Sequence, residues 1–256
     1  MRRKLSFAFG CALLVLAFAF YSLPARLLPR LVGSDVLQMS GVSGTLLNGH
    51  AARAIVTTSA GPLHLGSLRW RFRPQSLLTL EPAISLQSNW GSQRIELLVA
   101  RDGSVTRLRQ LDANLSAGLA RQFAPVALDG RLNLVFDELS FADDQVIAAQ
   151  GRVVWQDALW LAPRGARPLG TFAGEVTTTD AGDEPSIIEL AVTTITGPVF
   201  ATGNASLSAT RYSTDILLSG GDRALDADIA RAISLLASPE DNGYRLRLSG
   251  DLSTDL

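Results

Sequence analysis

Leu68, Trp70 and Phe72 alternate with Arg69, Arg71 and Arg73. Three apolar side chains on one face and three guanidiniums on the other suit a β-strand with one buried side, because a helix would scatter both sets around its circumference. The same period recurs along the chain. Leu132, Leu134 and Phe136 alternate with Arg131, Asn133 and Val135, and Tyr244, Leu246 and Leu248 alternate with Arg245 and Arg247. Ile84 and Leu86 share a face, with Trp90 in step, as do Ile216 and Leu218. Arg101-Asp102-Gly103-Ser104 and Asp241-Asn242-Gly243 supply the residues that tolerate positive φ in tight turns. The expectation is a largely antiparallel sheet with one apolar face.

Two stretches depart from that period. Val105, Leu108, Leu111, Leu115 and Leu119 recur at three and four, which predicts an amphipathic helix within Val105–Phe123 that ends before Pro125. Leu225, Ile229, Ile233 and Leu236 predict a second within Leu225–Ala237, with Asp222 as N-cap and Pro239 beyond its end. Each is expected to cover the apolar side of nearby strands. The chain also hints at a repeat. Gly44, Gly66 and Trp70 are answered by Gly130, Gly151 and Trp155 at offsets of about 85 residues, which suggests two lobes made by internal duplication. The expected fold is therefore mainly β with two amphipathic helices, at the border of all-β and α+β. Its antiparallel sheet would be half-open or helix-covered, behind an N-terminal transmembrane helix.

That helix is read from Leu5 to Leu23, a run without charge preceded by Arg2, Arg3 and Lys4. As a helix it would span about 28 Å at about 1.5 Å per residue, close to the thickness of a bilayer core. The basic residues before it orient the N-terminus to the cytoplasm. Ala17-Phe18-Ala19 offers a cleavage-like motif, but the apolar run continues past it, so an uncleaved signal-anchor is expected. The organisation predicted is a cytoplasmic tip at 1–4, a transmembrane helix at 5–23, a juxtamembrane linker at 24–33 interrupted by Pro24 and Pro29, and β-rich lobes at 34–125 and 126–256 on the far side of the membrane. Cys11, the single cysteine, reads as a buried membrane thiol and leaves no intrachain disulfide.

Candidate chemistry is sparse. A net charge of −1 gives no basic field for nucleic acid. His50 and His64 are the only histidines, too few for a zinc site without other ligands at recognisable spacing. Gly44-x4-Gly49 opens like a phosphate loop, but His50 and Ala51 follow where Lys and Ser or Thr are required. Asp143-Asp144 and Glu240-Asp241 read as solvated turns, and Asp222, Asp226 and Asp228 do not match a calcium loop. No catalytic residue, metal site or cofactor is expected, and the chain is read as a non-enzyme. The polar feature with functional potential is the row Arg69, Arg71 and Arg73, set about 6.7 Å apart on a strand. It suits an acidic partner or lipid headgroups.

Taken in order, Gly41-Val42-Ser43-Gly44-Thr45-Leu46-Leu47-Asn48-Gly49, Leu65-Gly66-Ser67-Leu68-Arg69-Trp70, Leu128-Asp129-Gly130-Arg131-Leu132-Asn133-Leu134, the Gly151–Trp155 run and Gly243–Leu252 resemble the type II secretion system protein N (general secretion pathway protein N) family. The resemblance spans nearly the whole chain behind the short N-terminal apolar run. It implies a single-pass inner-membrane protein of a Gram-negative bacterium, with its body in the periplasm. The task implied is non-enzymatic: assembling or stabilising the envelope-spanning machine that exports folded proteins. Partners would be inner-membrane platform proteins or the secretin, with the membrane itself and lipid as further contacts. The expected helix-covered, half-open sheet also looks like AsmA-type periplasmic modules, so a lipid-binding or lipid-transfer module is the alternative.

Overall fold

The computed structural model describes residues 22–28, 37–58, 61–79, 81–122, 127–142, 145–162, 165–179 and 186–252. The chain divides into two units, Met1–Gly91 and Ser92–Leu256.

The first unit is a small antiparallel sheet. Its strands are β1 (Leu37–Ser40), β2 (Ser43–Gly44), β3 (Asn48–Thr58), β4 (Gly61–Arg73) and β5 (Ala83–Trp90), in spatial order β1-β3-β4-β5 with β2 on β3. Two 3-10 turns, Ala25–Leu27 and Pro74–Thr79, complete it. The alternation in β4 sorts as expected: Leu68 and Trp70 are buried, while Arg69, Arg71 and Arg73 are exposed. Trp70 anchors the core with Ala25, Ala51, Ala54 and Leu68, and Leu37, Met39 and Leu86 pack around them. Its indole N–H donates to the Leu46 carbonyl at 2.9 Å, which satisfies the one polar atom the ring takes out of water. Gly49 lies opposite Trp70, and a Cβ there would come 2.5 Å from the ring.

The second unit carries β6 (Gln93–Asp102), β7 (Val105–Ser116), β8 (Leu128–Ala142), β9 (Gln145–Ala162), β10 (Gly165–Thr179), β11 (Ile187–Thr196), β12 (Phe200–Leu207), β13 (Arg211–Ser219), α1 (Ala227–Ile233), β14 (Ser238–Glu240) and β15 (Gly243–Asp251). Each strand from β6 to β13 pairs with the next, and β15 then lies between β13 and β14. The register lines apolar residues up across the strands. Leu115, Leu132, Trp155 and Phe172 form one row, and Leu111, Phe136, Gly151, Val176, Leu190 and Ala205 form another. Trp155 repeats the arrangement of Trp70: its indole N–H donates to the Asp129 carbonyl at 3.1 Å, beside Gly130.

Neither predicted helix stands as expected, so the sheet is open where two covering helices were predicted. Val105–Ser116 is strand β7, and Leu119 falls in the 3-10 turn Ala117–Gln122. The cause is a β-bulge. Leu98 pairs with Arg109 and Glu96 with Asp112, so Gln110 and Leu111 together face Leu97, and Gln110 adopts φ 52°. One extra residue puts Leu108 and Leu111 on the same face of a strand, where they pair with Leu139 and Phe136. A spacing of three thus imitates a helix. The second helix is a seven-residue remnant, Ala227–Ile233. Asp226, four residues later than the expected cap, accepts hydrogen bonds from the Asp228 and Ile229 amides, and Ile229 is the helix's one buried residue. Leu235 and Leu236 beyond it are exposed. Among the described residues no large side chain is fully buried, and most of the buried apolar positions are alanines.

The expected localisation is also corrected. No helix among the described residues is long and apolar enough to cross a membrane, which stands against a single-pass span with a cytoplasmic N-terminus and a periplasmic body. Where the 5–23 run meets the described chain, Ser22 and Leu23 are not helical and Pro24 is extended at φ −68° and ψ 138°. The rest of that run, with Cys11, lies outside the described residues, as does Asp143-Asp144.

Candidate functional site

Strand β4 places Arg69, Arg71 and Arg73 on the outer face of the first unit, because the buried positions Leu68 and Trp70 fix the phase of the strand. None of the residues opposite them is acidic. Arg69 faces His50 on β3 and Gln87 on β5, Arg71 faces Asn48 and Ser85, and Arg73 faces Ala83. No pair in this register sets a carboxylate beside an arginine. Among the described residues none of the three arginines forms an ion pair, so their charge faces solvent uncompensated.

The row continues into a feature that alternation alone did not reveal. Beyond Ser67, β4 bulges at Gly66, whose φ of +67° favours glycine, and a Cβ there would overlap the Asn89 carbonyl oxygen and Trp90. Close approach of β5 at this point forms a shallow recess of about 350 Å³, lined by Arg53, His64, Ser67, Asn89 and Trp90. His64 and Trp90 meet as tilted rings with centroids 5.4 Å apart. Trp90 stays 43% exposed, and Arg53 has no ion pair among the described residues. Arg53 had no sequence signal of its own, whereas alternation set Trp90 on the apolar face with Ile84 and Leu86; the bulge gives each its place at the recess. His50, the other histidine, hydrogen-bonds through Nδ1 with the Ser43 hydroxyl at 2.8 Å.

Several acidic residues of the second unit have structural partners. Asp228 receives Arg167 at 2.8 Å and Arg231 at 3.5 Å, and Glu240 receives Arg245 at 3.4 Å. Asp215 holds Arg245 in a two-point contact at 2.6 and 2.9 Å and Arg247 at 3.4 Å. The Arg245 hydrogen bond pulls the Asp215 carboxyl below its usual range, and the same contact raises Arg245. Among the described residues no group of three His, Cys, Asp or Glu side chains could hold a metal ion.

Charge is divided between the units in a way that the net value conceals. Residues 1–91 hold nine Arg or Lys against two acidic residues, whereas residues 92–256 hold fourteen against twenty-two.

Fold and surface together define an antiparallel β-sheet protein whose first unit carries a row of exposed arginines. Which family it represents follows from comparison. The chain belongs to the type II secretion system protein N family, whose model matches residues 35–247. It is 28% identical over 182 residues to the type II secretion system protein N of Aeromonas hydrophila, covering 66% of this chain and 69% of the relative. No solved structure matches it. Membership places the chain in type II secretion, a protein-transport pathway, as a component of the secretion machinery.

Proposed function

We propose that the chain is a non-enzymatic component that assembles or stabilises the type II secretion machine by binding its other proteins. The observation that carries this beyond family membership is an open strand edge. β15 pairs with β13 along its length, but β14 covers only Gly243–Arg245 on the other side. From Leu246 to Asp251 no described strand occupies that edge, so its backbone groups are free to add a partner strand. The short β1 offers a second, smaller edge in the first unit. A duplication that gave lobes at 34–125 and 126–256 belongs to the same proposal, supported by the matching indole-to-carbonyl bonds of Trp70 and Trp155. The lipid-transfer alternative gains no support from the comparisons, since both matches are to type II secretion proteins.

The test is site-specific photo-crosslinking from Ser249, an exposed position on β15, in cells with an active secretion system. Cross-links to other secretion components are expected there and should be absent from a control position at Thr202, an exposed residue inside the sheet. Complex formation without any cross-link from β15 or β1 would remove the edge mechanism. Loss of all co-purifying secretion components would remove the assembly role.

A further inference from the structure

The outer face of the first unit combines four arginines, spacers without a carboxylate and one exposed indole. Arg69, Arg71 and Arg73 stand in a row on β4, and Arg53 and Trp90 line the recess at its end. The spacers are Asn48, His50, Ser85 and Gln87. Arginine and tryptophan also serve protein interfaces, but four like charges with no carboxylate between them make a field of one sign along the face. It suits a layer of phosphates. Guanidiniums bind phosphate oxygens in pairs, and an indole is favoured where an apolar body meets a hydrated headgroup layer. The excess of basic residues in 1–91 acts in the same direction.

We propose that this face docks on an anionic phospholipid surface, with Arg53, Arg69, Arg71 and Arg73 on headgroup phosphates and Trp90 seated at the headgroup level. The contact is peripheral and needs no membrane-crossing helix. It differs from lipid transfer, because no acyl chain leaves the bilayer. It goes beyond the assembly reading and does not depend on it, since the lipid and the partner strand use different residues.

The experiment is co-sedimentation of the full chain with vesicles of phosphatidylcholine alone and with phosphatidylglycerol added. The quantity read is the ratio of binding to the two, because any uptake of the apolar run at 5–23 contributes to both. Binding is expected to favour the anionic vesicles and to weaken as salt rises. Each arginine removed should lower the ratio about five-fold, so the variant Arg53→Gln, Arg69→Gln, Arg71→Gln, Arg73→Gln should lose the preference. Arg69→Gln with Arg71→Gln serves if the fourfold variant does not fold. In Trp90→Phe, quenching of tryptophan fluorescence by brominated lipid should fall while the near-ultraviolet dichroism of the core is kept. Equal binding to both vesicle types would overturn the proposal. So would a folded arginine variant that keeps its anionic preference, or one that keeps it while losing a secretion component, which would make this a protein-binding face.

Discussion

Arginine does different work in the two units. In the second unit, Arg131 meets Asp157 at 2.9 Å, Arg152 meets Glu175 at 3.2 Å, Arg167 meets Asp228 at 2.8 Å and Arg245 meets Asp215 at 2.6 Å. In the first unit, Arg53, Arg69, Arg71 and Arg73 have no such partner among the described residues. The side chain is the same and so is the sheet geometry. What differs is the company on neighbouring strands, acidic in one case and without a carboxylate in the other. A paired guanidinium is committed to holding strands together, and an unpaired one keeps its charge for something outside the fold.

The comparison can be broken most severely at the two tryptophans, which hold both units by the same device at different burial. Trp70 is 4% exposed, whereas Trp155 is only half-buried. Trp70→Ala should cost about 3–5 kcal/mol in denaturant unfolding, and Trp155→Ala distinctly less. Equal costs would mean that burial does not rank the two anchors.

The bulge that shapes the arginine recess comes next. Gly66→Ala forces a Cβ toward the Asn89 carbonyl at a left-handed φ, and should destabilise by about 1–3 kcal/mol. Gly61→Ala, also at positive φ but facing open space, should cost less. A fully stable Gly66→Ala protein would show that β4 can lose its bulge.

Asp215→Asn tests the paired side of the comparison, with a pH signature. Because the folded carboxyl titrates below its unfolded value of about 3.9, its contribution is complete above that value and is lost as pH falls through the folded one. The parent should therefore melt above Asp215→Asn at neutral pH, and the gap should close in acid. A gap that persists below pH 2 would assign the loss to packing and not to charge. The smallest effect is expected on the unpaired side. Arg69→Gln, Arg71→Gln and Arg73→Gln should each shift stability by no more than about 0.5 kcal/mol, since no described contact is lost. A loss beyond about 1 kcal/mol would reveal a structural role for the row.

Much of the candidate surface was legible in advance. Alternation placed Arg69, Arg71 and Arg73 on one face, because Leu68 and Trp70 must go inward. The division of charge was legible too, although a net value near zero hides it. Arg53 was not, and alternation set Trp90 on the apolar face with Ile84 and Leu86, because a bulge moves residues between faces and only the partner strand shows where the extra residue sits. The same blindness made β7 resemble a helix: Leu108 and Leu111 are three apart in any conformation, and the register with β6 decides which they adopt.

The sequence by itself determined that the chain would be antiparallel β, that Trp70 would be inside and that three arginines would be outside. These follow from local chemistry, from a two-residue period and from the cost of burying a guanidinium. Tertiary structure decided which arginines are paired among the described residues, where the bulges fall, and that the two predicted helices do not close over the strands. Each depends on which residues face one another across strands, and strand register is a property of paired segments that no single segment carries.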